Sequence, residues 1–390
     1  MIVATTIMLL GPANLIMAMK SILYRRTYAA SAARLHSSGK TISAAVFMPC
    51  KGIEEDAEEF LRSMLNQDYP DYRVYFITES EEDPATEFLR GVAGEYPNAK
   101  VVVAGMATEC CQKNHNLLAG IAEEMSLERP ADAFVFADAD VKPGKTWLRD
   151  LTLPLTDDVH ATTAFRWLKP EKFSFWGTMH AMLSAYMGTL MSSSDGMWGG
   201  SMAIKREVFE KYGIGKRWSR AVADDISLME IVIKNGLKRE FVPTCLAENT
   251  SVIKDGRQLY EWFLRQVQYL KIYCRFHWIA AIVFTGLNAL AAVTLLSLTV
   301  FFMICSDWLT AGISFALLVI FLMIFSLSRL EGKEGQSYLT WVLMAFPALM
   351  MGTACLIGSI FRKTMIWRGI RYGINDDGTV SSVTVEKKNG

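Results

Sequence analysis

Apolar and polar positions divide this chain into two regimes. From about Thr41 to Phe241, short apolar runs alternate with segments of helical periodicity. "TISAAVFMPCKG" reads as a buried strand ending near Met48, and "EEDAEEFLRSMLNQDYP" as a helix stopped before Pro70. "YRVYFITES", "AKVVVAG" and "AFVFAD" read as further strands. "ATEFLRGVAGEYP" and "KNHNLLAGIAEEM" read as the helices between them. Strands alternating with helices predict an α/β domain with a mostly parallel sheet covered on both faces. Beyond it, "VHATTAFRW" is a strand candidate and "FSFWGTMHAMLSAYMGTLM" a helix. "GMWGGSMAIKREVFEKYG" places two glycines before a short strand, and "AVADDISLMEIVIKNG" is a helix opening on two aspartates.

The second regime is continuous apolar sequence. Four stretches reach the roughly 20 residues that cross a bilayer: residues 1–19 and the runs from Trp278, Trp308 and Tyr338. The first lacks a basic leader and a small-residue cleavage site, so it reads as an uncleaved anchor. Lys20, Arg25, Arg26, Arg34 and Lys40 follow it, and the positive-inside rule places the globular domain in the cytoplasm. The same rule asks for the Arg329–Lys333 loop and the basic tail on that side. At least one of the three late segments is therefore expected not to cross fully. The last is the first candidate, because Pro347, Gly352 and Gly358 interrupt it, and a bend near Gly286 in the Trp278 segment is the rival. "DGRQLYEWFLRQVQYLKIYCRFHW" precedes these segments as an amphipathic helix. Arg257, Glu261, Arg265, Gln268 and Lys271 form its polar side, which suits either the headgroup interface or a helix partner. The expected organisation is an anchor over 1–20, an α/β domain over 41–250, an interfacial helix over 255–277, a helical membrane domain over 278–361 and a cytoplasmic tail over 362–390.

Composition adds limits. The 390 residues carry no net formal charge and are 51% hydrophobic, which gives no basic surface for nucleic acid. Seven scattered cysteines, none with zinc-ligand spacing, suit a reducing compartment and read as thiols without chemistry.

Candidate chemistry sits in two acidic motifs. Asp138 and Asp140 follow the fourth strand, where open α/β sheets bind ligands. On an extended chain they share a face while Ala139 points away. Two such carboxylates can hold Mg2+ or Mn2+, completed by substrate phosphates. The plainer reading is a solvated loop pair, and the strand before them favours the metal. Asp224 and Asp225 open a helix, where acidic residues often serve only as caps. Two together permit one cap and one general base.

In this order the motifs resemble the GT-A nucleotide-sugar-dependent glycosyltransferases, families 2 and 21. Within them the chain is most similar to the ceramide glucosyltransferase type and its bacterial relatives, from about Ala44 to Tyr372. "MPCKG" resembles the nucleotide loop after the first strand, with Lys51. "ESEEDPA" resembles the uridine-binding segment, with Glu79 and Asp83 as contacts. "QKNHNLLAGI" carries Lys113 at a position used for the donor diphosphate. "DAD" resembles the metal motif, with Asp138 also on the donor side. "WGGSMAIKREVF" resembles the acceptor-side turn, "ADDIS" the base motif with Asp225 as the base beside Asp224, and "WRGIRYGI" the C-terminal signature. The R-x-x-R-W motif departs here: Arg265 is kept, while Gln268 and Tyr269 replace the second arginine and the tryptophan. Guanidinium and carboxamide are not interchangeable at a diphosphate, and the loss argues against processive synthesis.

The resemblance implies an inverting, non-processive transfer from a UDP-sugar to a hydroxyl of a membrane lipid, dependent on Mg2+ or Mn2+. It also implies a protein of the bacterial inner membrane with its catalytic domain in the cytoplasm. A polyprenyl-phosphate acceptor, and a silent nucleotide-sugar-binding membrane protein, are the alternatives.

Overall fold

The structure is a computed structural model. It describes residues 14–16, 18–19, 41–53, 56–168, 174–192, 194, 196–249, 253–327 and 337–385. Most of the expected anchor, the basic residues up to Lys40 and the Arg329–Lys333 loop lie outside them. The chain forms two compact units: a helical one of residues 1–26, 167–193 and 250–362, and an α/β one of residues 27–166, 194–249 and 363–390.

The α/β unit is a seven-stranded sheet in the order β3-β2-β1-β4-β7-β5-β8. Its strands are β1 (Ala44–Pro49), β2 (Tyr72–Thr78), β3 (Ala99–Val103), β4 (Ala133–Ala137), β5 (Ala161–Thr163), β7 (Ser201–Lys205) and β8 (Arg239–Phe241). The short strands β6 (Arg166–Leu168) and β9 (Ala247–Asn249) lie outside the sheet. β1 pairs in parallel with both β2 and β4, β2 with β3, and β5 with β8; β7 alone runs antiparallel, between β4 and β5. The expectation of a mostly parallel sheet holds. β1 and β4 are buried along almost their whole length, as continuous apolar runs in a double-faced sheet must be. Strand order reverses between β1 and β4, and a crevice opens at such a point beyond the strand ends.

Helices α1 (Ala57–Leu65), α2 (Pro84–Ala93), α3 (Gln112–Met125) and α4 (Trp147–Thr152) follow the first four strands. α3 lies close on the sheet because it carries Gly120, where an added Cβ would fall 2.7 Å from Ile77 Cδ1 and 3.0 Å from Phe47. Its last turn is fixed by Glu124, which is fully buried. Glu124 accepts from Arg73 at 2.6 and 2.9 Å, from the Tyr75 hydroxyl at 2.7 Å and from the Ala131 amide at 2.6 Å. A buried carboxylate tolerates that position only when so fully paired.

The tail forms an antiparallel sheet of β10 (Thr364–Trp367), β11 (Ile370–Ile374) and β12 (Val380–Val385), and it belongs to the α/β unit. The Tyr372 hydroxyl accepts from the Gln112 amide at 3.2 Å, and Val380 N donates to Arg220 O at 2.8 Å.

The helical unit contains α5 (Phe175–Ser192) and, after the α/β-unit helices α6 (Arg206–Lys211), α7 (Ile214–Trp218) and α8 (Asp225–Lys234), helices α9 (Gly256–Tyr273), α10 (Arg275–Ile304), α11 (Trp308–Leu327) and α12 (Tyr338–Phe361). α10, α11 and α12 are long and apolar enough to cross a membrane, with mean hydropathies of 2.2, 2.5 and 1.8. α10 and α12 are each one continuous helix, α12 running through Pro347, so neither contains the expected hairpin. On α9, Gln268 is 5% exposed and lies with the buried residues Leu264 and Val267, away from the polar side on which the sequence pattern put it.

Candidate active site

Three carboxylates, Asp138, Asp224 and Asp225, act on one lysine, Lys113, beyond the carboxyl ends of the central strands. β4 ends at Ala137, and Val141 N closes a turn onto Asp138 O at 3.2 Å. Asp138 and Asp140 therefore sit on a turn and not on extended strand; the alternation argument fails here, although Ala139 does pack on the core beneath. Lys113, on the first turn of α3, bridges two of the acids. Its Nζ lies 2.9 Å from Asp138 Oδ1 and 3.0 Å from Asp224 Oδ2. Burial alone would lower the Lys113 pKa, but Asp138, Asp224 and Asp225 outweigh it and hold the ammonium well above its ordinary range. Asp138 behaves in mirror image. Burial pushes its carboxyl up, and Lys113, Arg166 and Arg368 bring it below the usual value.

Asp224 and Asp225 open α8 without a conventional cap. The Asp224 side chain makes no capping bond and is 4% exposed against Lys113. Its backbone is positioned by the fully buried Trp218, whose Nε1 donates to Asp224 O at 3.0 Å. Asp225 accepts from Gly199 N at 3.0 Å and from Ile226 N at 2.7 Å. Burial and the adjacent Asp224 raise its carboxyl to about 6, against the opposing pull of Lys113. A carboxylate of that basicity, hydrogen-bonded to backbone amides, can take a proton near neutral pH. Gly199 is fitted to the same cluster. An added Cβ there would fall 2.3 Å from Asp224 Oδ2 and 2.6 Å from Lys113 Nζ.

The loops after β1 and β2 are tied to each other. Lys51 Nζ pairs with Glu79 at 2.5 Å, while Asp83 caps α2 through Ala85 N at 2.9 Å and also accepts from Gly52 N at 3.0 Å. The structure thus gives Asp83 a helix-capping duty besides the role the resemblance implied. Arg265, Gln268 and Tyr269 belong to α9, in the helical unit. Sequence reasoning gave no site role to two cations of the α/β unit, Arg166 and Arg368. Arg166 lies over the rings of Phe165 and Trp198, 5.8 and 5.4 Å from their centroids. Arg368, from the tail, donates to Lys51 O at 3.1 Å. The tail's sheet pairing brings it there, and its one signal in the sequence is its place in the C-terminal signature "WRGIRYGI".

Among the described residues no group of three or more His, Cys, Asp or Glu gathers as a closed metal cage. Asp138 and Asp140 fit the other kind of site, in which one or two carboxylates hold a hard divalent cation whose remaining places go to substrate phosphates and water. Asp138 suits that duty because its neighbours keep it ionised.

The family model for glycosyl transferase family 21 matches residues 8–380. The chain belongs to that family. Ceramide glucosyltransferase 1 of Caenorhabditis elegans is 23% identical over 206 residues, which are 50% of this chain and 42% of that protein. The mannosyltransferase PcManGT from Pyrobaculum calidifontis, solved in complex with GDP-Man and Mn2+, superposes over 91% of this chain and 99% of its own with a TM-score of 0.52 and 18% identity. That likeness establishes the GT-A fold of the family 21 chain.

Proposed function

We propose that this family 21 protein is a membrane-bound, inverting and non-processive glycosyltransferase that moves a sugar from a UDP-type donor to a hydroxyl of a membrane lipid. The observation that carries the reading is Asp225: a carboxylate raised to about 6, fixed by two backbone amides and set beside the acid–lysine cluster. Such a group accepts the proton of an attacking hydroxyl. Asp224 keeps Lys113 in place, and Lys113 adds positive charge where the leaving diphosphate gathers negative charge. Asp138 and Asp140 would hold Mg2+ or Mn2+, which when bound would offset the charge on that leaving group. Lys51, Glu79 and Asp83 form the nucleotide side, and Arg265, Gln268 and Tyr269 on α9 are assigned to the donor as well. Attack opposite the diphosphate inverts the anomeric carbon. The lipid acceptor draws support from the ceramide glucosyltransferase relative and from three membrane-length helices. On this reading the protein sits in the bacterial inner membrane with its α/β unit in the cytoplasm.

The test is UDP release from UDP-sugars by purified protein supplied with membrane lipid extract, followed by mass spectrometry of the lipids. Lipid-dependent release is expected, abolished by excess chelator and by Asp138→Asn with the fold intact. Nucleotide binding without any lipid-dependent release would make the protein a silent binder. Full activity in chelator would remove the metal.

A further inference from the structure

The tail hairpin carries an arginine where its own backbone disfavours one. β10 and β11 are joined by Arg368 and Gly369, with Trp367 paired to Ile370. Both turn residues have positive φ, +46° at Arg368 and +78° at Gly369. A two-residue turn of this kind takes Asn, Asp or Gly at its first position, because other side chains crowd the backbone in the left-handed region. Arginine there costs the hairpin on the order of 1–2 kcal/mol. Strain held by an otherwise well-anchored element is a reason to ask what the side chain does. This element is anchored, through the Tyr372 hydroxyl to α3 and through Val380 N to Arg220 O.

The side chain reaches the loop after β1, where it donates to Lys51 O at 3.1 Å. Arg368 is exposed at that point. The Asp138 carboxylate feels its charge together with those of Lys113 and Arg166. Lys113 is shared between two acids, Arg166 lies over two rings, and Arg368 itself lies over the Trp367 ring, 5.8 Å from its centroid. A guanidinium on a hairpin tip, beside the loop assigned to the nucleotide, has the planar fork that matches phosphate oxygens.

We propose that Arg368 is a binding residue for the diphosphate of the nucleotide-sugar donor, presented by the β10–β11 turn over the loop after β1. The proposal rests on the glycosyltransferase reading above. It assigns the C-terminal sheet a part in the donor site, and it explains why the turn keeps arginine in place of asparagine.

The test uses the full-length protein in detergent and measures binding of inorganic pyrophosphate, UDP and GDP with Mn2+ by calorimetry, alongside thermal unfolding. Arg368→Asn removes the guanidinium and suits the turn. Its affinity for pyrophosphate and for the better-bound nucleotide should fall at least tenfold while Tm stays level or rises. Arg368→Gly should behave alike, and Arg371→Gln, on the same hairpin, should bind as the wild type does. Unchanged affinity in Arg368→Asn overturns the proposal, as does a fall in Tm with affinity kept, which marks a structural residue. If the wild type binds none of the three probes, the glycosyltransferase reading fails and takes this proposal with it.

Discussion

At the scale of single residues, the site is a contest between burial and charge, and Asp225 lies on its uphill side. Its folded pKa is raised from the ordinary carboxylate value to about 6, by burial first and by Asp224 second. For a group raised in this way, the contribution to stability is fully present below the unfolded pKa and is lost as pH climbs through about 6. Catalysis needs the opposite form. Turnover should therefore fall as pH drops below about 6, with the slope of one proton, while the local fold becomes firmer over the same range. Asp225→Asn should lose on the order of 10^2–10^4 in kcat, the usual worth of a general base, and keep UDP binding. If donor affinity collapses in step with the rate, Asp225 is a binding residue. Gly199→Ala makes the companion case. Its methyl would sit inside contact distance of Asp224 and Lys113 together, so the cluster must open.

At the scale of elements, one buried network decides how firmly α3 delivers Lys113. Glu124 anchors the far end of the same helix, and Arg73, Tyr75 and the Ala131 amide surround it. Burial works to raise its pKa, but these partners win and hold it below the usual value. The sign is then opposite to that of Asp225: the stability it contributes is present above the unfolded glutamate pKa and is lost as pH falls through the lowered folded one. Glu124→Ala leaves Arg73 and Tyr75 without their partner and should destabilise by about 3–5 kcal/mol, read as a drop in the urea midpoint at neutral pH. A wild-type midpoint would mean that the network contributes no net stability. The elements nearest the site were the legible ones. β1 to β4 are apolar runs bounded by turn residues, and α1 to α3 carry clear periodicity, so each showed in the pattern. β7 is equally apolar, but nothing in "SMAIK" reveals that it enters the sheet antiparallel between β4 and β5. The tail strands were hidden differently. Their burial comes from distant partners such as Gln112 and Arg220, which periodicity cannot register, and Arg368 showed only as part of "WRGIRYGI", with no role attached.

At the scale of the whole molecule, the path of the chain bears on how many times it crosses a membrane. It leaves the α/β unit near residue 250 and rejoins it at 363, so an even number of net crossings is expected between them if that unit lies on one side. Three membrane-length helices lie in that stretch. α12 ends beside the start of α10: Trp278 Nε1 donates to Ser359 Oγ at 2.9 Å, and Lys271 caps the last carbonyls of α12, Ser359 and Ile360 among them, at 2.8 and 3.0 Å. α11 starts where α10 stops, across a turn in which Asp307 N donates to Phe302 O at 2.9 Å. Its other end lies beside the start of α12, joined by the Tyr338 hydroxyl to Met323 O at 2.6 Å. If α10 crosses the bilayer, Cys305, just past its end, lies on the side opposite Arg275 at its start. It is exposed, while the other six cysteines are buried. In intact cells a membrane-impermeant thiol reagent should label the wild-type protein at Cys305 and fail to label Cys305→Ser. A cysteine placed at Gly390, beyond the described residues, in the Cys305→Ser background should stay unlabelled until the membrane is permeabilised. Labelling at both positions from outside would mean an odd number of crossings, and the even count would be wrong.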